Sequence, residues 1–313
     1  TKFAEPPPNL PETGVIIGKS KFRGQEKQIR LSDNDRRRHL YIIGQTGTGK
    51  SSIMKNMLAQ DIIAGRGVAV IDPHGEFAEY VLSIVPKERA QDVIYFNPGD
   101  TDHPMGLNLF EFDPTKPEQK TLLSNEFFTI MKNIYKELPE AFGPMFEQYY
   151  KNSALLLMDV FERKFKENGN SIKGIEHEIP TMAEIPRIFN DENYRREKLA
   201  LETNPLVKNF WEQEAEKAGG DAALANMSPY INSKLSPFLA NDFIRPIVAQ
   251  HQSAFDFRQM MDQQKILVAN LSKGRIGEIN ANLLGMLIVS KLSISALSRV
   301  DIDENARKDF FLY

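Results

Sequence analysis

The chain predicts an α/β fold: a mostly parallel sheet built around a phosphate-binding loop and interrupted by a large all-helical insertion. Three observations predict it. Short apolar runs rich in β-formers recur at His39–Gly44, Gly67–Glu76, Asp92–Pro98 and Lys265–Leu271. The first run leads into a glycine-rich loop and then a stretch with helical periodicity, the order that a phosphate-binding loop requires. Between Met105 and about residue 261, roughly 150 residues read at helical spacing with little strand signal. The expected division is an N-terminal extension at 1–35, a core at 36–104 and 262–313, and a helical insertion at 105–261.

In chain order, the loop comes first. GQTGTGKSS spans Gly44–Ser52. Glycines let the backbone turn its N–H groups inward around phosphate oxygens, and the N-terminus of the following helix adds partial positive charge. That chemistry assigns Gly44, Thr46, Gly47, Thr48, Gly49, Lys50, Ser51 and Ser52 to nucleotide binding. Lys50 would contact the β- and γ-phosphates and the Ser51 hydroxyl would ligate Mg²⁺. After the loop, Ile53, Met54, Met57, Leu58, Ile62 and Ile63 form one apolar helical stripe, and Gly65 and Gly67 stop it.

The second strand ends in Asp72, at the edge where α/β sheets hold ligands. Its carboxylate could face a metal or an attacking water, serve as the acidic residue of a Walker B motif, or cap the turn. Asp72, His74 and Glu76 also alternate as metal ligands can, but Pro73-His74-Gly75 reads as a turn.

Tyr149, Tyr150, Phe161 and Trp211 fall in the helical region, where aromatics at helical spacing read as core rather than as platforms for bases. Arg163, Lys164 and Lys166, flanked by Glu162 and Glu167, read as a solvated face. After Leu271 come the loop Ser272-Lys273-Gly274-Arg275 and a long helix from about Glu278 to Ser298. Its run Leu283–Ser298 is interrupted by Lys291 and several serines, which favours a core helix over a transmembrane segment. KDFFLY (Lys308–Tyr313) reads as one more apolar strand start.

Composition narrows the classes. Hydrophobic residues make up 41% and charged residues 26%, as in ordinary globular proteins. There is no cysteine, which excludes disulfides and thiolate metal sites and fits a reducing compartment. The net charge is −3, so any nucleic-acid surface must be local. Thr1 is not an initiator methionine and no signal-peptide pattern follows, so the chain is expected to be a piece of a longer protein.

Taken together, DRRRHLYIIGQTGTGKSS, VIDPHGE, ILVANLSKGRIGE and RKDFFLY resemble the HerA/FtsK superfamily of P-loop ATPases, and within it the type IV secretion and conjugation ATPases that include coupling proteins. The resemblance implies a RecA-like core that binds ATP and Mg²⁺ and assembles as a hexameric ring to move DNA through its channel. It also implies secretion-system membrane components as partners and a cytoplasmic location, which could include the inner face of the membrane. By position it makes Lys50 and Asp72 catalytic and gives Arg38 the place of an arginine that senses nucleotide across a subunit interface. Arg38 could equally be one of three surface arginines, Arg36 to Arg38. Arg275 is a further candidate for a phosphate sensor or trans-acting arginine. The family follows the strand that FFLY resembles with an Asp-Glu pair, and here no carboxylate follows Tyr313. The expectation is therefore ATP binding with poor hydrolysis by this chain alone. Alternatives are a motor for protein secretion or pilus assembly, a small-molecule kinase, and a non-catalytic nucleotide-binding module.

Overall fold

The computed structural model describes residues 4–215 and 220–313. The chain divides into two compact units, one of residues 1–96, 257–270 and 298–313, the other of 97–256 and 271–297.

The first unit begins with a hairpin, β1 (Val15–Phe22) and β2 (Gln25–Leu31). Its main sheet has four strands: β3 (Gly67–Asp72), β4 (Val93–Phe96), β5 (Ile266–Asn270) and β6 (Phe310–Leu312), in the order β4-β5-β3-β6, all parallel. The expected strands at 67, 92, 265 and 308 thus all join one sheet. The inner strands β3 and β5 are apolar along nearly their whole length because both faces are covered. Helices α1 (Lys50–Ile63) and α2 (Glu76–Ile84) supply Leu58, Ile62, Ala78 and Val81, which pack with Val68, Val70, Ile266 and Val268 in a core closed to solvent.

One expected strand is absent. Residues 39–45 have no strand pairing, and Leu40, Tyr41 and Ile43 are 50%, 87% and 80% exposed. A strand is a property of a pair, because its N–H and C=O groups need a neighbouring edge. This segment instead lines, together with β6, a cavity of about 640 Å³ that also includes Arg36, Arg37, Met54 and Met57. Arg37 pairs with Asp309 beside that cavity at 2.9 Å.

The second unit is helical. It contains α3 (Glu118–Ile134), α4 (Pro144–Glu167), α5 (Glu184–Asn190), α6 (Glu192–Leu201), α7 (Gly220–Leu239) and α8 (Glu278–Leu297). Tyr149, Tyr150, Phe161 and Trp211 are core residues. Phe127 stacks on Tyr150 at 5.2 Å, and Tyr149 meets Phe210 edge-on at 5.0 Å. Arg163 pairs with Glu167, Lys166 with Glu162 and Lys164 with Glu178, so that basic cluster is neutralised in place.

Helix α8 groups with this unit and not with the sheet. The stretch Glu278–Asp301, which begins with α8, is by length and composition apolar enough to cross a membrane. Leu283, Leu284, Leu287 and Ile288 are buried in the unit, and the Lys291 ammonium donates to the Glu111 carbonyl at 2.9 Å. Burial pushes the Lys291 pKa down to about 8, against the opposing pull of Glu111 and Asp256.

Candidate nucleotide-binding site

The site is built from the turn that launches α1. Gly47 and Gly49 take φ of 81° and 95°, a conformation that side chains disfavour. Gly44 is needed for a different reason: a Cβ there would lie 2.5 Å from the Thr48 hydroxyl. That hydroxyl donates to the Gln45 carbonyl at 2.7 Å and closes the loop on itself.

Lys50 lies at the centre of this ring. Its ammonium donates to the carbonyls of Gly44 and Gln45, both at 2.7 Å. An ammonium has three donors, so one remains for a ligand while two fix the side chain across the loop mouth. Gly49 caps α1 without a side-chain bond, and the first turn of α1 carries no acidic residue. The leading N–H groups of the helix and its positive end are thereby presented to an incoming anion. Ser51 and Ser52 are exposed on the same turn. The donor set therefore fits a polyphosphate: main-chain N–H groups, one cation, and hydroxyls. Among the described residues no group of three or more histidines and carboxylates could hold a metal by itself. A Mg²⁺ ion here would arrive with its nucleotide and use the Ser51 oxygen, and Asp72, His74 and Glu76 form no cluster for it.

Asp72 ends β3 and is 4% exposed. One carboxylate oxygen accepts from the His74 N–H at 2.9 Å, and the other from the N–H groups of Phe77 and Ala78 at 2.7 and 3.0 Å. The side chain holds the turn and the start of α2.

The three arginines separate cleanly. Arg36 is buried, with both terminal nitrogens on Asp61 at 2.9 and 2.5 Å; it also donates to the Tyr313 hydroxyl, which itself donates to Asp61 at 2.6 Å. Burial alone would lower the Arg36 pKa, yet Asp61 holds it above its usual range. Burial first, and then Asp61, raise the Tyr313 phenol. Arg37 pairs with Asp309. Arg38 is exposed, and its guanidinium has no hydrogen bond or ion pair among the described residues. Arg275 belongs to the other unit, where its exposed side chain lies across Gly99.

Sequence reading passed over Asp61. A carboxylate on the apolar stripe of α1, between Leu58 and Ile62, was the available signal, since such a charge requires a buried partner. Nothing in sequence pointed to Asn56 and Gln60, whose amides bracket the main chain of Ile16 and seat the hairpin on α1.

Comparison with known proteins gives two findings. Residues 15–202, more than half of the chain, match the family described as helicase HerA, central domain. A solved structure described as the bacterial conjugative coupling protein TrwBdeltaN70, in its unbound monoclinic form, matches with a TM-score of 0.50 at 17% identity. The match covers 91% of this chain and 56% of that one, so the chain spans little more than half of its structural neighbour. At that identity the likeness is one of fold, a RecA-like P-loop architecture. No curated protein sequence matches.

Proposed function

The chain belongs to the helicase HerA central-domain family of P-loop ATPases, and on that premise we propose that it is the ATP-binding motor unit of a DNA translocase of the conjugative-transfer type. The observation that carries the proposal is the open cradle: a glycine-closed loop, a lysine held across its mouth, and a helix N-terminus free of acidic neighbours. ATP with Mg²⁺ supplies the phosphoanhydride whose cleavage powers movement. The α1 N–H groups and Lys50 hold its phosphates, and the Ser51 hydroxyl orients the metal edge of the site. A phosphate oxygen would take the third donor of the Lys50 ammonium, the two others being held by the Gly44 and Gln45 carbonyls.

In this reading DNA passes through the channel of a hexamer whose other partners are secretion-system components at the cytoplasmic face of a membrane. Arg38, exposed and uncompensated, is the cation that reaches a neighbouring subunit's nucleotide, with Arg275 the second choice. Hydrolysis by this chain alone is expected to be slow, since the Asp72 carboxylate is engaged by three main-chain N–H groups at the turn.

The test is ATP turnover measured alone, with duplex or single-stranded DNA, and with an unfolded export protein. Mg²⁺-dependent ATP binding with near-background turnover by this chain, and turnover stimulated by DNA in the assembled ring, is the expected result. Stimulation by the export protein alone would replace DNA transfer with protein secretion. Robust Lys50-dependent hydrolysis by the isolated chain would overturn the expectation of poor turnover by this chain alone.

A further inference from the structure

The hairpin β1–β2 has a charge opposite in sign to the chain. Residues 15–31 hold five cations, Lys19, Lys21, Arg23, Lys27 and Arg30, against the single carboxylate of Glu26, in a protein whose net charge is −3. The antiparallel register pairs Lys19 with Gln28 and Lys21 with Glu26, which places these four and Arg30 on one face of the ribbon. Lys19 and Lys21, 57% and 78% exposed, share Glu26 at 2.7 and 3.3 Å. Among the described residues Arg30 bonds to neutral acceptors, the Gly14 carbonyl and the Gln28 amide oxygen, at 2.8 and 2.7 Å. Positive charge on this face is therefore left uncompensated. On the opposite face Ser20 and Phe22 are half-buried and line a hollow with Gln25, Lys27 and the Glu5–Pro8 segment, although Gln25 and Lys27 stay exposed. At the tip, Arg23 turns the chain at φ 48° and its guanidinium lies 5.3 Å from the Phe22 ring centre.

The root is equally specific. The Ile16 N–H donates to Gln60 at 2.9 Å, and its carbonyl accepts from Asn56 and Gln60 at 2.7 and 2.9 Å. Both residues belong to α1, whose first turn is the phosphate cradle.

We propose that this hairpin is a DNA-contacting arm: Lys19, Lys21 and Arg30 on its open face and Arg23 at its tip engage the phosphates of duplex DNA, and its root on α1 joins that contact to the nucleotide helix. The inference rests on the DNA-translocase reading. A two-stranded ribbon is a width the major groove admits, and lysine and arginine contacts to phosphate need no sequence. An anionic bilayer is the poorer fit, because interfacial binding also needs buried apolar area and the open face offers Lys, Gln, Glu and Arg.

The test is duplex DNA binding by fluorescence anisotropy from about 50 to about 200 mM salt, where each phosphate contact contributes about 0.9 to the slope of log K against log salt. The variants are Lys19→Gln/Lys21→Gln/Arg23→Gln and the charge-keeping Lys19→Arg/Lys21→Arg/Arg23→Lys. Arg30 is kept because it bonds the hairpin's own main chain. The neutral triple variant is expected to lose at least about tenfold in affinity and about 2 to 3 in slope. Its ATP affinity and melting temperature should match the parent's, and the charge-keeping variant should retain the parental slope. An unchanged slope in the neutral variant overturns the arm and leaves the DNA reading to another surface. Failure of the parent protein to bind duplex at any salt overturns the DNA reading and the arm with it. Loss of binding to phosphatidylserine vesicles with DNA binding intact reassigns the arm to a membrane and also overturns it.

Discussion

Two helices of the nucleotide-binding unit begin in the same way and end up with opposite roles. Both α1 and α2 follow a glycine in the left-handed conformation, Gly49 at φ 95° and Gly75 at φ 96°, and neither glycine position offers a side-chain cap. At α2 the leading N–H groups of Phe77 and Ala78 are bound by the Asp72 carboxylate, and Glu76 and Glu79 occupy the first turn. At α1 the first turn has no acid and no internal anion, and Lys50 adds a positive charge. One backbone device thus serves two purposes. Filled by the protein's own carboxylate it locks a turn, and left open it suits a carboxylate's chemical analogue, a phosphate. The difference lies in a few side chains, not in the turn.

The largest effect should come from removing the charge at the open end. Lys50→Ala leaves the loop carbonyls and the helix N-terminus in place but withdraws the cation held across the loop mouth. ATP affinity is expected to fall by about a hundredfold, on the order of 3 kcal/mol, as when a charged hydrogen bond is lost. Calorimetric titration with ATP and Mg²⁺ reads this directly, while the melting temperature of the unliganded protein should hardly move. If affinity survives, the open helix end is not the nucleotide site and the comparison fails on its first side.

The filled end should respond in the opposite sense. Asp72→Ala strips acceptors from three main-chain N–H groups, two at the start of α2, and should destabilise the fold by about 2 kcal/mol, the scale of a lost N-cap with charged partners. Urea denaturation gives this value. ATP affinity should stay within a few-fold of the parent. A variant of normal stability that no longer binds Mg²⁺-ATP would instead place Asp72 at the metal and make both helix ends ligand sites.

How much of this was legible in sequence follows from how local each feature is. The cradle is nine consecutive residues with its glycines and lysine in place, so its chemistry could be read before its geometry. Strands β3 and β5 were visible as apolar runs because burial on both faces leaves a one-dimensional trace, and the half-buried edge strands β4 and β6 through their aromatic and apolar residues. Residues 39–43 have the same apolar trace but no strand, since pairing depends on an edge that composition does not encode. The identity of Asp72 as an acid at a strand end was legible, whereas its hydrogen-bond partners were not. They depend on where the α2 N–H groups point. The basic hairpin was hidden by the overall charge of −3, which averages over a local excess. The boundary of the helical unit was blurred for a related reason: α8 is apolar enough for either unit, and packing alone decides.

A second buried carboxylate sharpens the contrast and carries the smallest predicted effect. Glu202, 4% exposed, follows α6 and accepts from the N–H groups of Thr203 and Asn204 at 2.7 and 2.6 Å through one oxygen. Its other oxygen is buried with no hydrogen-bond partner, unlike either oxygen of Asp72. Burial pushes its pKa from 4.5 up to about 7, the two N–H groups pull it down, and Asp159 raises it further. Asp159 itself is paired with Lys120, which also pairs with Glu162. Between pH 4.5 and about 7 the folded chain therefore holds a proton that the unfolded chain has released, and stability must fall as pH rises through that window. Glu162 and Glu178 are held below the usual carboxylate range by their lysines, against burial, so their contributions change at lower pH and leave this window to Glu202. Glu202→Gln keeps an oxygen for the Thr203 and Asn204 N–H groups and removes the titration. Urea midpoints measured from pH 5 to pH 7 should decline for the parent and run nearly flat for the variant. Equal slopes would mean that the orphan oxygen reaches solvent or a cation, and that Glu202 is as fully satisfied as Asp72.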